Sequence, residues 1–419
     1  MDESYKKKLD GFLKSHNFGY DGVYAFYFQK HLEDMFRVYD RSKNIPGSMI
    51  DTRIAKPEKI PTDQDVLVID VGGTNVRRSI VTFNALGHPF VSHLKKVPFK
   101  DLLEGKDFFQ SLASFIMPML RRSNISNIAT CFSFPFIPTD DGDAIVSGSA
   151  KGLDREQFKD KKILASLKKE INKTINRKFN MSIVNDATSL LLYLALVEKD
   201  TNSLLIASIV GTGTNCAVYH NPNFYYGGKY TAICTEIGHF NMEKFELSDF
   251  DYEVDKESEH PGSSLVEILT SGFYLHKVFR KMIEAAINEN VFNEEDMKEA
   301  KQYVDTINDT KDIDRAFTLT EGIKYLADKF VERSGYTVKA ILNASCNYAG
   351  NFGLHQKASV IVEGSTYYLL PGYKENTEAR IKEDFHCKDV KLYYPVDNKG
   401  TVVLYGAALS TFCKRIREM

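Results

Sequence analysis

The chain has 419 residues, of which 43% are hydrophobic and 26% charged, and its formal net charge is −2. That length allows two domains at roughly 100–200 residues each, and the composition is ordinary for a globular protein. A near-neutral balance gives no electrostatic ground for nucleic acid or an anionic membrane as partner. The Lys161-Lys162 and Lys168-Lys169 pairs are interleaved with acidic residues, as on a solvated helix face.

Residues 1–45 carry helical spacing, with Leu9, Phe12 and Leu13 in one stretch and Val23, Phe26, Leu32 and Phe36 in the next. Three prolines make 46–61 a connector. Strand signals dominate 66–83. A helix is predicted over 106–122 from Phe109, Leu112, Phe115, Ile116 and Leu120, with Pro118 as a candidate kink. A strand over 128–134 stops at Pro135, and residues 138–143 read as a polar turn. Residues 160–177 read as a helix with Asp160 as its N-cap. A short strand over 181–184 enters Asn185-Asp186, and a helix over 187–197 follows. Beyond a second hairpin, 262–335 is mostly helical, with a charged section over 289–311. Strands alternating with helices make the class α/β, and the hairpins make the sheets mixed.

Two of these segments repeat one pattern. Val66-Leu67-Val68-Ile69-Asp70-Val71 runs into Gly72-Gly73-Thr74-Asn75, and Leu204-Leu205-Ile206-Ala207-Ser208-Ile209-Val210 runs into Gly211-Thr212-Gly213-Thr214-Asn215. Glycines permit positive φ and close approach of an anion to the main chain. Threonine hydroxyls and turn N–H groups donate to phosphate oxygens. One such turn is an ordinary hairpin; two suggest duplicated half-domains facing one ligand across a cleft.

Asp70 ends the first strand beside the turn, where a carboxylate suits Mg²⁺ held directly or through water. Arg77 on the return strand suits a phosphate, while Arg78 points to the opposite face of a regular strand. Asn185-Asp186 sits at a strand-to-helix junction. It reads as a helix cap, but strand carboxyl ends are also where open α/β sheets place ligands. Glu236 precedes Ile237-Gly238, and Glu267 lies in the first turn of a helix, where acidic residues are habitual. Converging on a cleft, such acidic and amide groups would accept from the hydroxyls of a polyol.

The order of these motifs resembles the hexokinase family, of the actin-like ATPase fold, from about residue 66 to the C-terminus. Asp70-Val71-Gly72-Gly73-Thr74-Asn75-Val76-Arg77 is similar to the first phosphate motif, and Phe132-Ser133-Phe134-Pro135 through Lys151-Gly152 to the sugar motif. Val184-Asn185-Asp186 resembles the catalytic motif, and Val210-Gly211-Thr212-Gly213-Thr214-Asn215 the second phosphate motif. Thr235-Glu236 and Pro261-Gly262 through Glu267 resemble further sugar-contact blocks. Val360-Ile361-Val362-Glu363-Gly364-Ser365 resembles the nucleotide block, and Gly406-Ala407-Ala408-Leu409 the terminal helix start.

The resemblance implies duplicated ribonuclease H-like domains forming two lobes around a cleft, 62–184 plus 400–419 and 1–61 plus 185–399. It implies phosphorylation of glucose at the 6-hydroxyl by ATP and Mg²⁺, the first step of glycolysis. Asp186 becomes the general base and Lys151 a second catalytic residue, and Ser133, Lys151, Asn185, Asp186, Asn215, Glu236 and Glu267 the sugar contacts. Asp70, Gly72, Gly73, Thr74, Asn75, Arg77, Gly211, Thr212, Gly213, Thr214 and Gly364 become the nucleotide site, with Mg²⁺ at Asp70 through water.

Departures stand out. Ser149-Ala150 replaces the family's usual Trp-Thr before the lysine, Ile237 a tryptophan and Ser264 a glutamine. The glycine-rich turn before the terminal helix reads Thr401-Val402-Val403-Leu404-Tyr405-Gly406.

The alternative is a non-catalytic sugar sensor on the same scaffold. Loss of Asp186, Lys151 or both glycine turns would mark it, and all are present. A third branch, related to bacterial repressors, typically carries a cysteine-rich zinc motif. Here Cys131, Cys216, Cys234, Cys346, Cys387 and Cys413 form no CxxC pair; several sit in apolar runs and read as small buried hydrophobes, and a reducing compartment fits. No apolar run reaches transmembrane length, and the polar N-terminus shows no leader signature. A cytoplasmic monomer or homodimer is expected.

Overall fold

The apolar runs that precede the two glycine turns become central strands of two separate sheets. In the computed structural model, residues 1–42, 49–103, 107–147, 158, 161–220, 230–240, 247–353, 356–397 and 400–416 are described. Their strands are β1 (Ile50–Ala55), β2 (Gln64–Val71), β3 (Asn75–Phe83), β4 (Pro89–Pro98), β5 (Asn127–Phe132), β6 (Phe136–Pro138), β7 (Ala144–Val146), β8 (Asn180–Val184), β9 (Leu204–Val210), β10 (Thr214–His220), β11 (Thr231–Cys234), β12 (Lys357–Glu363) and β13 (Asp389–Tyr393). One sheet runs β4-β3-β2-β5-β8 and the other β1-β11-β10-β9-β12-β13. The pair β6/β7 forms a separate ribbon.

The two sheets share one plan. In the first, β4/β3 and β3/β2 are antiparallel and β2/β5 and β5/β8 parallel. In the second, β11/β10 and β10/β9 are antiparallel and β9/β12 and β12/β13 parallel, with β1 added antiparallel at the β11 edge. The hairpins β2-β3 and β9-β10 therefore hold equivalent stations, as the duplicated α/β class requires.

Helix Asp186–Val197 follows β8, and helix Thr401–Ser410 follows β13. They pack on each other between the sheets, and both are apolar nearly all round, as a helix buried on every side must be. A Cβ at Gly406 would lie 1.6 Å from the Ser189 carbonyl oxygen, so the two backbones meet there with no room for a side chain.

The long helix Glu321–Ala349 lies under the second sheet, and the N-terminal helices Glu3–Ser15 and Gly22–Ser42 belong to the same core. Within that core the Arg333 guanidinium meets both oxygens of Asp251, Nη1 to Oδ2 at 2.7 Å and Nη2 to Oδ1 at 3.0 Å.

Several expectations need correction. Val23 and Phe26 are 65% and 54% exposed; the buried stripe of that helix is Ala25, Phe28, Leu32 and Phe36, two positions out of phase at its start. The proline-marked connector contains β1. Strand β4 was not expected, because it is an edge strand with most residues exposed and no clean alternation. The helix expected over 160–177 spans Ile163–Asn172 with Lys162 at the N-cap position, and Asp160 lies outside the described residues.

Candidate active site

At the first turn, the register of β2 with β3 sets Asp70 directly opposite Arg77. The Arg77 Nε–H donates to Asp70 Oδ2 at 2.6 Å, so the candidate metal carboxylate and the candidate phosphate cation hold each other. The turn is closed by Gly72 N–H donating to the Asn75 carbonyl at 3.0 Å. Arg78 leaves on the opposite face, as alternation required, with its guanidinium 4.9 Å from the Phe115 ring centre.

The second turn repeats the closure, with Gly211 N–H donating to the Gly213 carbonyl at 2.9 Å. Ile209 stands where the first copy has Asp70, so charge is confined to the first hairpin. The glycines of both turns have ordinary negative φ, contrary to the expectation of positive φ. Close approach explains Gly213 alone of the second turn: a Cβ there would sit 2.6 Å from Glu267 Oε1, whereas one at Gly211 would meet nothing nearer than 3.7 Å. Gly364 does need its freedom, with φ +134° and a Cβ there falling 2.2 Å from the Val210 carbonyl oxygen.

Asn185 and Asp186 divide the two readings of their junction. Asn185 is the N-cap, its Oδ1 accepting from Ala187 N–H at 2.8 Å; Asp186 is the first helical residue. Half-buried on the cleft wall, Asp186 has its pKa pushed up to about 6, first by burial and then by the charges of Glu236 and Asp70. The Ser133 hydroxyl and Ala187 N–H, donating to the carboxylate, oppose that rise.

Opposite lies a linked polar set. Asn215 Nδ2 donates to Glu236 Oε1 at 2.8 Å, and the Cys234 thiol reaches both Asn185 Oδ1 and Glu236 Oε1 at 3.2 Å. Glu267 Oε1 accepts from Thr214 N–H at 3.2 Å. Glu236 holds φ +50°, a left-handed conformation uncommon outside glycine and of the kind that collects at functional sites.

A cleft of about 810 Å³ is lined by Asp70, Gly72, Gly73, Thr74, Asn75, Arg77, Ser133 and Asp186 from one side. Thr212, Gly213, Thr214, Asn215, Glu236 and Glu267 line it from the other. That is the size of a ligand site rather than a packing fault. Asn185 and Gly364 support the wall through Asp186 and Gly211. Lys151 lies outside the described residues, as does Ala150.

Several lining residues were given no role from the sequence, His239 and Gly400 among them. Leu94 and Lys96 come from the unforeseen β4, Phe273 is the second residue of helix Gly272–Asn288, and Glu363 ends β12. Glu363 is 5% exposed, its pKa pushed up to about 7 by burial and the Asp397 charge against the pull of Arg77. Its place directly before Gly364 was the available signal.

Among the described residues no group of three or more His, Cys, Asp or Glu side chains could hold a metal ion. A lone Asp70 suits Mg²⁺, which is bound by one or two carboxylates and otherwise by water and substrate phosphates.

Two family models described as hexokinase match the chain, over residues 205–413 and 24–196. The chain is 25% identical to the hexokinase of Kluyveromyces lactis over 369 aligned positions, covering 77% of this chain and 74% of that protein. It is also 25% identical to hexokinase-2 of Saccharomyces cerevisiae over 424 aligned positions, covering 89% and 85%. Among solved structures, a hexokinase from Schistosoma mansoni complexed with glucose matches with a TM-score of 0.75 at 20% identity, covering 96% of this chain and 99% of that one.

Proposed function

Because the chain belongs to the hexokinase family, we propose that it transfers the terminal phosphoryl group of ATP to the 6-hydroxyl of glucose with Asp186 as general base. The observation that carries this reading is the meeting, in one cleft, of two glycine turns with a carboxylate separated from its helix cap. Phosphoryl transfer needs little covalent help from the protein and much positioning and charge neutralisation.

Each group has a task on this reading. Asp186 accepts the proton of the attacking hydroxyl, and the Ser133 hydroxyl holds its carboxylate in place. Asn185, Asn215, Glu236 and Glu267 accept from or donate to the other sugar hydroxyls, with Lys151 completing the set. The first turn, Gly72 to Asn75, and the second, Gly211 to Thr214, cradle the phosphates, and Gly364 lets the nucleotide approach the second. Mg²⁺ at Asp70 would neutralise phosphate charge. Residues 62–184 with 400–419 form one lobe and the rest the other, and closure on sugar excludes water as a rival acceptor. No described helix is long and apolar enough to cross a membrane, and all six cysteines are free thiols, which agrees with a cytoplasmic enzyme.

A coupled kinase assay over glucose, fructose, mannose and a sugar-free control tests the assignment in Glu236→Gln and Glu267→Gln. Each variant removes a charged acceptor whose hydrogen bond contributes roughly 1.5–3 kcal/mol, so KM for sugar should rise about tenfold or more with KM for ATP little changed. A raised KM for ATP with an unchanged sugar KM in both variants would show the roles are misassigned.

A further inference from the structure

Antiparallel pairing carries the first turn's charges across three strands. Asp70 on β2 stands opposite Arg77 on β3, and Arg77 stands opposite Lys96 on β4. Directly opposed residues of antiparallel strands project to the same face. The row Asp70-Arg77-Lys96 therefore shares the cleft face, and Lys96 lines the same cleft as Gly72, Gly73, Thr74 and Asn75. The neighbouring pair Arg78 and Lys95 takes the other face, where Arg78 packs on Phe115.

The charges along this row are unequal. Arg77 is matched by Asp70 at 2.6 Å and feels Glu363 as well. Lys96 is exposed, and among the described residues its ammonium makes no ion pair or hydrogen bond. Among the described residues, Lys96 thus stands on the cleft wall as an uncompensated cation beside the glycine turn. A lysine is a strongly hydrated point charge on a flexible stem, suited to reaching a mobile chain of phosphates rather than to fixing a planar group.

We infer that Lys96 binds the polyphosphate of the incoming nucleoside triphosphate and is a nucleotide-affinity residue of this site. The inference rests on the kinase reading above and adds to it a residue outside both glycine turns. Lys96 stands in register with Arg77 beside the first glycine turn, so its contribution falls on nucleotide binding and weakens with salt.

The experiment compares wild type with Lys96→Ala, Lys96→Arg and Lys95→Ala. Two quantities are measured: KM for Mg-ATP at saturating glucose, and the dissociation constant of Mg-ADP by displacement of a fluorescent nucleotide. Lys96→Ala should raise both about five- to tenfold, as expected for one partly exposed charge-assisted contact. The effect should shrink at about 0.3 M salt. Lys96→Arg should stay within about twofold of wild type, Lys95→Ala should match wild type, and KM for glucose should not move in any variant. Equal nucleotide constants for Lys96→Ala and Lys95→Ala would overturn the inference. If wild type binds Mg-ADP yet makes no sugar phosphate, the kinase reading fails while the displacement constants still decide the role of Lys96.

Discussion

Asp186→Asn is expected to fold, bind glucose and lose at least about a hundredfold in kcat, since a positioned general base contributes roughly 10²–10⁴-fold. Asn185, not Asp186, provides the helix cap, so the substitution leaves the cap intact. Burial raises the Asp186 pKa to about 6, which means the folded protein holds the ionised carboxylate at a cost. Replacing it with a neutral amide relieves that cost at neutral pH and offsets the lost carboxylate–dipole attraction of ~0.3–1 kcal/mol at the helix N-terminus. The melting temperature should therefore hold or rise while turnover collapses. The same raised pKa sets the wild-type pH profile. A base works only when ionised, so kcat/KM should fall about tenfold per pH unit below pH 6 and level off above it. A stable Asp186→Asn protein with near-native turnover would remove the central residue of the mechanism.

Arg333→Met should destabilise the protein by about 3–5 kcal/mol, the usual consequence of leaving one member of a buried ion pair alone. Arg333 and Asp251 are 1% and 0% exposed and meet through two hydrogen bonds. The guanidinium also lies 4.0 Å from the Phe18 ring centre, tying an N-terminal element to the long helix. Asp251 serves twice, because its Oδ2 also accepts from Ser248 N–H in the capping box of helix Asp249–Lys256. Removing both charges with Asp251→Leu should therefore restore only part of the loss. Denaturant titration reads it directly, and a change below about 1 kcal/mol would show the pair contributes little.

The features legible in the sequence are those written in local chemistry. The two glycine turns and the mixed α/β class follow from residue type and spacing, whereas the clustering of Glu236, Glu267, Asn215, Ser133 and Asp186 was implied only by the family resemblance that the motif order carries. The identity of the cap did not, because Asn and Asp are equally good N-caps and only coordinates assign the hydrogen bond. The phase of helix Gly22–Ser42 was misread because Val23 and Phe26 are apolar yet face outward, and composition alone does not say which stripe meets the core. Strand β4 escaped because both its faces carry exposed residues, and with it went Leu94 and Lys96 on the cleft wall. The engagement of Arg77 with Asp70 depends on cross-strand register, which a single strand's sequence does not carry. Glu363 was visible as a residue but not as a buried charge, since burial at the end of β12 is set by tertiary packing.

The most direct test of the account is a ³¹P NMR record of wild-type protein incubated with glucose, ATP and Mg²⁺. The account predicts that the terminal phosphate signal of ATP declines as that of a phosphate ester on the 6-hydroxyl of glucose grows, and that both changes slow at least about a hundredfold when Asp186→Asn replaces wild type. Saturable glucose binding with no sugar phosphate formed from any nucleoside triphosphate would contradict it and leave the sensor reading in its place.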